Sequence, residues 1–201
     1  MEDEIVKFIE FPKIARFARQ AVISEKIDGT NGVVFIGKNG EFFIGSRSRW
    51  ITPADDNYGF AAWAYEHKEE LIIGLGAGRH YGEWWGKGIQ RAYGLAEKRF
   101  SLINCIRWAE IGAELQLIPQ ADPRIIKSQQ YAPVCCHVVP KLWCGQFDKM
   151  NIDTIISELQ HSGSIASPGF MRPEGVIIFH IAGNVAFKKT IEKDDIPKGR
   201  V

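Results

Sequence analysis

Apolar residues in this chain fall mostly into short runs broken by glycine and polar residues, a pattern of strands more than of long helices. Ala21–Ile23 and Val33–Ile36 are two such runs, separated by Ser24-Glu25-Lys26-Ile27-Asp28-Gly29-Thr30-Asn31-Gly32. The second run, the turn Gly37-Lys38-Asn39-Gly40 and the run Glu41–Ile44 predict a β-hairpin, because Asn-Gly suits a tight connection between strands. A return strand through that hairpin carries Ser46–Arg49 back beside Thr30–Gly32. Phe60, Trp63, Ala64 and Leu71 recur at helical spacing, which predicts an amphipathic helix over Ala54–Gly74 with Asp55 or Asp56 near its start. Arg99–Trp108 reads as an apolar strand, and Val134–Pro140 with Lys141–Gly145 as a strand and a turn. Asn151 is placed to cap a helix that turns Ile152, Ile155, Ile156 and Leu159 toward the core. His161–Gly169 reads as a loop and Val176–Phe179 as a strand; Lys193–Arg200 is expected to be a frayed or extended tail. Short strands, one Asn-Gly hairpin and about two helices together predict an α+β fold.

Composition narrows this picture. At 201 residues the chain is long enough for one domain with a substantial core. Its 25 Lys+Arg against 24 Asp+Glu leave no bulk charge to signal nucleic-acid binding, so any basic surface must arise from local arrangement. Lys13, Arg16 and Arg19 near the start are solvated by default. No apolar run approaches ~18 residues and Met1-Glu2-Asp3-Glu4 is acidic, so neither a membrane span nor a secretory signal is expected. Cys105, Cys135, Cys136 and Cys144 lack paired C-x-x-C spacing, which favours reduced, cytoplasmic thiols over a disulfide framework or zinc cage. Gly74-Leu75-Gly76-Ala77-Gly78-Arg79 has arginine where a dinucleotide loop needs its third glycine, and no Walker-type G-x-x-x-x-G-K-[ST] occurs.

The stretch around Lys26 carries the candidate chemistry. The lysine stands between Glu25 and Asp28 at the end of one expected strand, just before another begins. Lysine becomes a nucleophile where burial or nearby cations favour the neutral amine. Taken alone, a K-x-D-G string more often marks a surface lysine beside a turn. The hairpin register makes Arg47 and Arg49 candidates for a nucleotide or nucleic-acid end, with Arg47 favoured. Asp28 can either hold the turn or touch substrate.

Lys26-Ile27-Asp28-Gly29 resembles the active-site motif of the covalent nucleotidyltransferases, the polynucleotide ligases and mRNA capping enzymes; Glu25–Asn31 is more similar to the ATP-dependent RNA ligases. Four further blocks follow in the family's order. They are Tyr81-Gly82-Glu83, Arg99–Trp108, Glu174-Gly175-Val176-Ile177-Ile178-Phe179 and Val185-Ala186-Phe187-Lys188-Lys189-Thr190. The resemblance implies a nucleotidyltransferase domain with an ATP-grasp-like ligase adenylation fold, two mostly antiparallel sheets flanked by helices with ATP between them. It implies that Lys26 attacks the α-phosphate of ATP and holds AMP as a phosphoramidate. AMP then passes to a 5′-phosphate end, and a 3′-hydroxyl displaces it to seal the strand. Catalytic roles fall on Lys26, Glu174 and Lys188. Glu25, Lys26, Arg47, Glu83, Phe100, Lys188 and Lys189 are carried over as ATP-binding residues, with Glu83 on the ribose hydroxyls and Glu174 as the ligand of Mg²⁺ or Mn²⁺. Ile103 competes with Phe100 for the adenine-facing position, and Lys189 with Lys188 for the α-phosphate, since Ala186 and Thr190 interrupt the family's K-x-K.

The same resemblance sets the expected boundaries and partners. Residues 1–201 are expected to form a single adenylation domain without the C-terminal OB-fold barrel common in these enzymes. ATP and nucleic acid, as RNA ends or a nicked duplex, are the expected partners, with no membrane. Sealing is expected to be slow, salt-sensitive or dependent on a partner protein that supplies substrate grip. Two alternatives stand beside the RNA-ligase reading: a DNA ligase or capping-type guanylyltransferase core, and a non-catalytic nucleotide- or RNA-binding module of the same fold.

Overall fold

A computed structural model describes residues 8–12, 14–116, 129–147, 149–192 and 194–195. The first two apolar runs form β1 (Gln20–Lys26) and β2 (Thr30–Ile36), and the Asn-Gly turn returns the chain into β3 (Phe42–Gly45). Then follow β4 (Trp50–Ile51), α1 (Phe60–Glu66), α2 (Lys68–Leu75), β5 (Gly78–Gly86), β6 (Lys98–Leu102), β7 (Trp108–Ala109) and β8 (Gln130–Tyr131). The described elements end with β9 (His137–Val138), β10 (Lys141–Gln146), α3 (Lys149–Ser162), β11 (Gly175–His180) and β12 (Val185–Thr190).

These strands build two principal sheets. One has the order β10-β1-β11-β12 and is antiparallel throughout. The other has the order β4-β3-β2-β5-β6-β9, antiparallel except for the β6–β9 pair; β7 and β8 form a small parallel pair. The mixed α/β architecture agrees with the α+β expectation.

Side-chain alternation, with period two, decides what each sheet face meets. On the four-stranded sheet, Ala21, Ile23, Val176 and Ile178 pack against Ile155, Ile156 and Leu159 of α3. The residues between them, Val22, Ser24 and Lys26 on β1 and Ile177 and Phe179 on β11, face a cleft instead. On the six-stranded sheet, Val34, Ile36, Phe42, Ile44, Trp84 and Phe100 join Phe60, Ala61, Ala64, Leu71 and Leu75 of α1 and α2 in the main core. The opposite face of that sheet carries Asn31, Glu83 and Tyr81 toward the same cleft.

Several expected elements differ. The helix expected over Ala54–Gly74 starts only at Phe60 and divides at His67. Tyr58 (φ 55°) and Gly59 (φ 81°) take left-handed backbone that a helix cannot continue through. Asp56 supplies the helix start from upstream, accepting hydrogen bonds from the amides of Ala61 at 2.7 Å and Ala62 at 2.9 Å. The strand expected over Arg99–Trp108 ends at Leu102, where Ile103–Arg107 turns and Asn104 Oδ1 accepts from the Arg107 amide. Lys141–Gly145 is a strand rather than a turn, because β1 offers it a full edge to pair with. The third helix begins at Lys149, ahead of Asn151. Lys13 and most of the expected tail, apart from Asp194 and Asp195, lie outside the described residues.

Candidate active site

β1 ends where its sequence turns polar, and each residue of the Lys26–Gly29 turn has its own anchor. Ile27 is buried in the main core, which pins the turn from below. The Asp28 amide donates to the Tyr93 hydroxyl at 2.9 Å, and the Asp28 carboxylate accepts from Arg91 Nε at 3.0 Å. Gly29 donates its amide to Glu83 Oε1 at 3.0 Å. A Cβ at Gly29 would lie 2.5 Å from the Trp84 carbonyl oxygen and 2.7 Å from Trp85 Cβ, so only glycine lets the turn approach β5 this closely. Of the two roles open to Asp28, the structure displays the turn-holding one, through a partner that sequence reading missed. Arg91 also donates to the Arg172 carbonyl at 3.0 Å and so joins the Lys26 turn to the chain leading into β11.

β1 and β11 pair with Lys26 opposite Gly175, which sets Glu174 beside the lysine. Lys26 Nζ and the Glu174 carboxylate form an ion pair, with Glu174 only 5% exposed. Ser24 pairs with Ile177 and Ile177 with Lys188, so Lys188 projects into the cleft from the next strand but one. Arg47 and Glu83 enter from the six-stranded sheet. The cleft thus gathers Lys26, Arg47, Glu83 and Lys188 around about 830 Å³, with Glu174 held at Lys26 by the ion pair. That volume lies within the ~300–1,000 Å³ usual for small-molecule sites.

Four expected contacts are corrected. Glu25 borders the cleft, but its carboxylate is turned to the other side of β1, as strand alternation requires. Its buried carboxylate accepts from Ser164 Oγ at 2.6 Å and from the amides of Ile165 and Ala166, both at 2.9 Å. Burial raises the Glu25 pKa, and these three donors oppose the rise. Phe100 is fully buried among Phe60, Trp63 and Trp84 and cannot stack on a base; Ile103, half-exposed, lines the cleft in its place. Lys189 lies on the other face of β12 and pairs with Asp153 of α3 at 3.2 Å. Arg49 turns outward into an ion pair with Asp55, because Ser46–Arg49 forms a tight turn into β4 instead of extending β3.

The Glu25 arrangement yields a stability test. Truncating that carboxylate strands two backbone amides and a hydroxyl in the interior, each costing roughly 1–3 kcal/mol. Glu25→Ala is therefore expected to destabilise the fold by ~3 kcal/mol in urea unfolding while leaving ATP affinity of the folded fraction unchanged. Undiminished stability with weakened ATP binding would restore Glu25 to the nucleotide site.

The cleft carries both signs of charge, with Lys26, Arg47, Arg79, Arg107 and Lys188 beside Asp28 and Glu83. Burial pushes Glu83 up to about 7, opposed by the Gly29 amide and the Lys26 charge and reinforced by Glu174 and Asp28. Among the described residues no group of three or more His, Cys, Asp or Glu could hold a metal ion. One carboxylate beside phosphate oxygens and waters, however, is an ordinary Mg²⁺ environment, and Glu174 offers that donor chemistry. Asn31 Nδ2 donates to Glu83 Oε2 at 3.3 Å, leaving acceptor capacity on this carboxylate.

No family model matches the chain, and no curated protein matches its sequence. Its fold does match solved structures. A variant of the Naegleria gruberi RNA ligase with ATP and Mn superposes with TM-score 0.57 at 17% identity, over 88% of this chain and 51% of that chain. Another variant of that ligase, with AMP and Mn, gives TM-score 0.56 at 18% identity over 86% and 49%. A Naegleria gruberi RNA ligase R4a variant without ligand gives 0.57 at 18% over 86% and 50%. The chain therefore has an RNA-ligase-like fold and spans about half the length of these neighbours. Among the described residues no helix is long and apolar enough to cross a membrane.

Proposed function

We propose that this chain is the catalytic core of an ATP-dependent RNA ligase and forms a covalent lysyl-AMP intermediate. The observation that carries the reading is the Lys26–Glu174 pair, set in a cleft that also presents Glu83, Arg47 and Lys188. The likeness in fold to RNA ligases solved with ATP or AMP and Mn supports it.

In this mechanism the triphosphate enters with its α-phosphate at Lys26. Glu83 accepts hydrogen bonds from the ribose hydroxyls, and Ile103, Ile177 and Phe179 offer the base an apolar wall. Lys188 and Arg47 bring positive charge to the phosphates. The Lys26 ammonium releases its proton through Glu174 to water, and the freed lone pair attacks the α-phosphorus. The bond to pyrophosphate breaks, its electron pair leaves with pyrophosphate, and loss of the second amine proton completes the phosphoramidate. Glu174 would hold a divalent ion, whose chemistry there would be charge stabilisation of the phosphates. A 5′-phosphate oxygen then displaces Lys26 from AMP, and a 3′-hydroxyl expels AMP to close the phosphodiester.

The test is incubation with α-labelled ATP and Mg²⁺ or Mn²⁺, followed by denaturation. Label is expected to stay on the protein, to require the divalent ion and to be absent with labelled GTP. Label from GTP alone would make the core a capping-type guanylyltransferase, and no label from either would leave a non-catalytic module. Sealing assays on nicked RNA and nicked DNA then separate the two ligase classes.

Glu83 adds a pH signature. A carboxylate near 7 is mostly protonated at pH 6 and mostly ionised at pH 8, and the ionised form accepts from a ribose diol. ATP capture is expected to improve about tenfold between pH 6 and 8. Glu83→Gln is expected to flatten that rise. For stability the sign is opposite: the raised folded value means protonation favours the fold, so this stabilisation is lost as pH climbs from ordinary carboxylate values through about 7. Glu83→Gln should raise Tm at pH 8 and leave it unchanged at pH 5.

A further inference from the structure

The cleft-side face of the six-stranded sheet does not end at the nucleotide site. Moving along β5 from Glu83, the outward residues are Tyr81 and then Arg79, which pair across the sheet with Val33 and Phe35. Phe43 on β3 and Trp50 on β4 continue the same face. The rings of Phe35, Phe43 and Trp50 form one cluster, with centroids 6.1 Å (Phe35–Phe43), 6.1 Å (Phe35–Trp50) and 5.7 Å (Phe43–Trp50) apart. Arg79 lies across it, its guanidinium carbon 4.9 Å from the Phe35 centroid and 5.5 Å from that of Trp50. Tyr81 is 51% exposed, Phe43 49% and Trp50 48%. Large aromatics are seldom left together on a surface without a partner, and here they surround a cation. Among the described residues Arg79 and Arg47 have no carboxylate partner, so both charges remain available to an anion.

We infer that this aromatic–arginine face is a stacking platform for a single-stranded polynucleotide running out of the nucleotide cleft. The inference rests on the proposed function for what occupies the cleft, and on geometry for the rest. Tyr81 and Arg79 line both the cleft and the platform, so the two surfaces are continuous. Arg79 stands four residues along β5 from Glu83, about 13 Å at ~3.3 Å per residue, a distance a few nucleotides span. Exposed rings and guanidinium planes stack on unpaired bases, while a duplex hides its base faces inside the helix. Stacking is indifferent to the sugar, so RNA and DNA single strands are the two sources of this chemistry.

The test is fluorescence anisotropy with short unstructured RNA and DNA oligonucleotides and a blunt duplex, run beside the labelled-ATP assay. Trp50→Ala and Phe43→Ala are each expected to weaken single-strand binding about tenfold, with Trp50→Phe restoring most of it. Duplex binding should be weaker and unmoved by these substitutions, and adenylation by both alanine variants should match the wild type. Binding to RNA alone would assign the platform to RNA, and equal binding to both would leave it a general single-strand surface; either supports it. Normal adenylation with unchanged single-strand binding would overturn the platform and leave the proposed function standing. Absent adenylation with the tenfold loss intact would do the reverse. A duplex as sensitive as the single strand, or a dimer that Trp50→Ala dissociates without altering oligonucleotide binding, would also overturn it, the latter in favour of a second copy of this chain.

Discussion

Lys26→Ala is expected to lose the covalent AMP adduct completely, since Lys188, the other lysine lining the cleft, is proposed to bind phosphate and the remaining cations there are arginines. The substitution is not expected to be silent for the fold. Lys26 forms an ion pair with Glu174, whose carboxylate is almost wholly enclosed. Removing Lys26 costs up to ~3–5 kcal/mol, because the enclosed carboxylate loses one of its partners. A protein of this size commonly has a margin of ~5–15 kcal/mol, so the variant folds with a lowered melting temperature. Lys26→Ala combined with Glu174→Gln should recover much of that stability and still form no adduct, which separates the chemistry from the folding cost. Label on denatured protein and thermal melting measure the two effects. Wild-type labelling of Lys26→Ala would transfer the nucleophile's role to another residue.

What could be read in the sequence was whatever neighbouring residues determine. The strand ending at Lys26, the Asn39-Gly40 hairpin and the β11 strand follow from local apolar runs and turn chemistry, and all are present. Alternation along β12 also implied that only one of Lys188 and Lys189 could face the cleft, and the sheet register selects Lys188. Contacts between distant segments carried no such signal. The Ser164–Ala166 loop looked chemically inert, yet it holds Glu25 from 139 residues away. Arg91 sits in a glycine-bounded stretch with nothing local to mark it, and it reaches Asp28 only because Gln90, Ala92 and Tyr93 accept positive φ. Phe100 fitted an adenine-stacking block by its place in order. The presence of Phe60 and Gly32 beside it makes it core instead, and that depends on how α1 packs on the sheet. The Ala54–Gly74 helix failed differently: helical periodicity persisted through a segment whose backbone at Tyr58 and Gly59 forbids a helix.

Glu174→Ala distinguishes a catalytic carboxylate from one that merely holds Lys26 at rest. As a resting partner, Glu174 only holds the lysine in place, and its loss would release the side chain and speed adenylation. As the acceptor of the ammonium proton and a ligand for the ion on the phosphates, it acts where charge develops, and its loss removes stabilisation from the transition state alone. The second role is the expected one: the rate of adduct formation at saturating ATP falls at least about 100-fold, in line with a single lost electrostatic contact. The apparent KM for ATP should change little, because the ribose and base are proposed to rest on Glu83, Ile103 and Phe179, which line the cleft from other strands and loops. Glu83→Ala should show the complementary split, with KM raised, less discrimination between ATP and its 2′-deoxy analogue, and the saturated rate largely kept. Rapid-quench measurement of adduct formation across ATP concentrations reads both parameters for both variants. A faster saturated rate in Glu174→Ala would reduce that residue to a restraint on Lys26, and matching kinetics in the two variants would show that neither carboxylate has the role assigned to it.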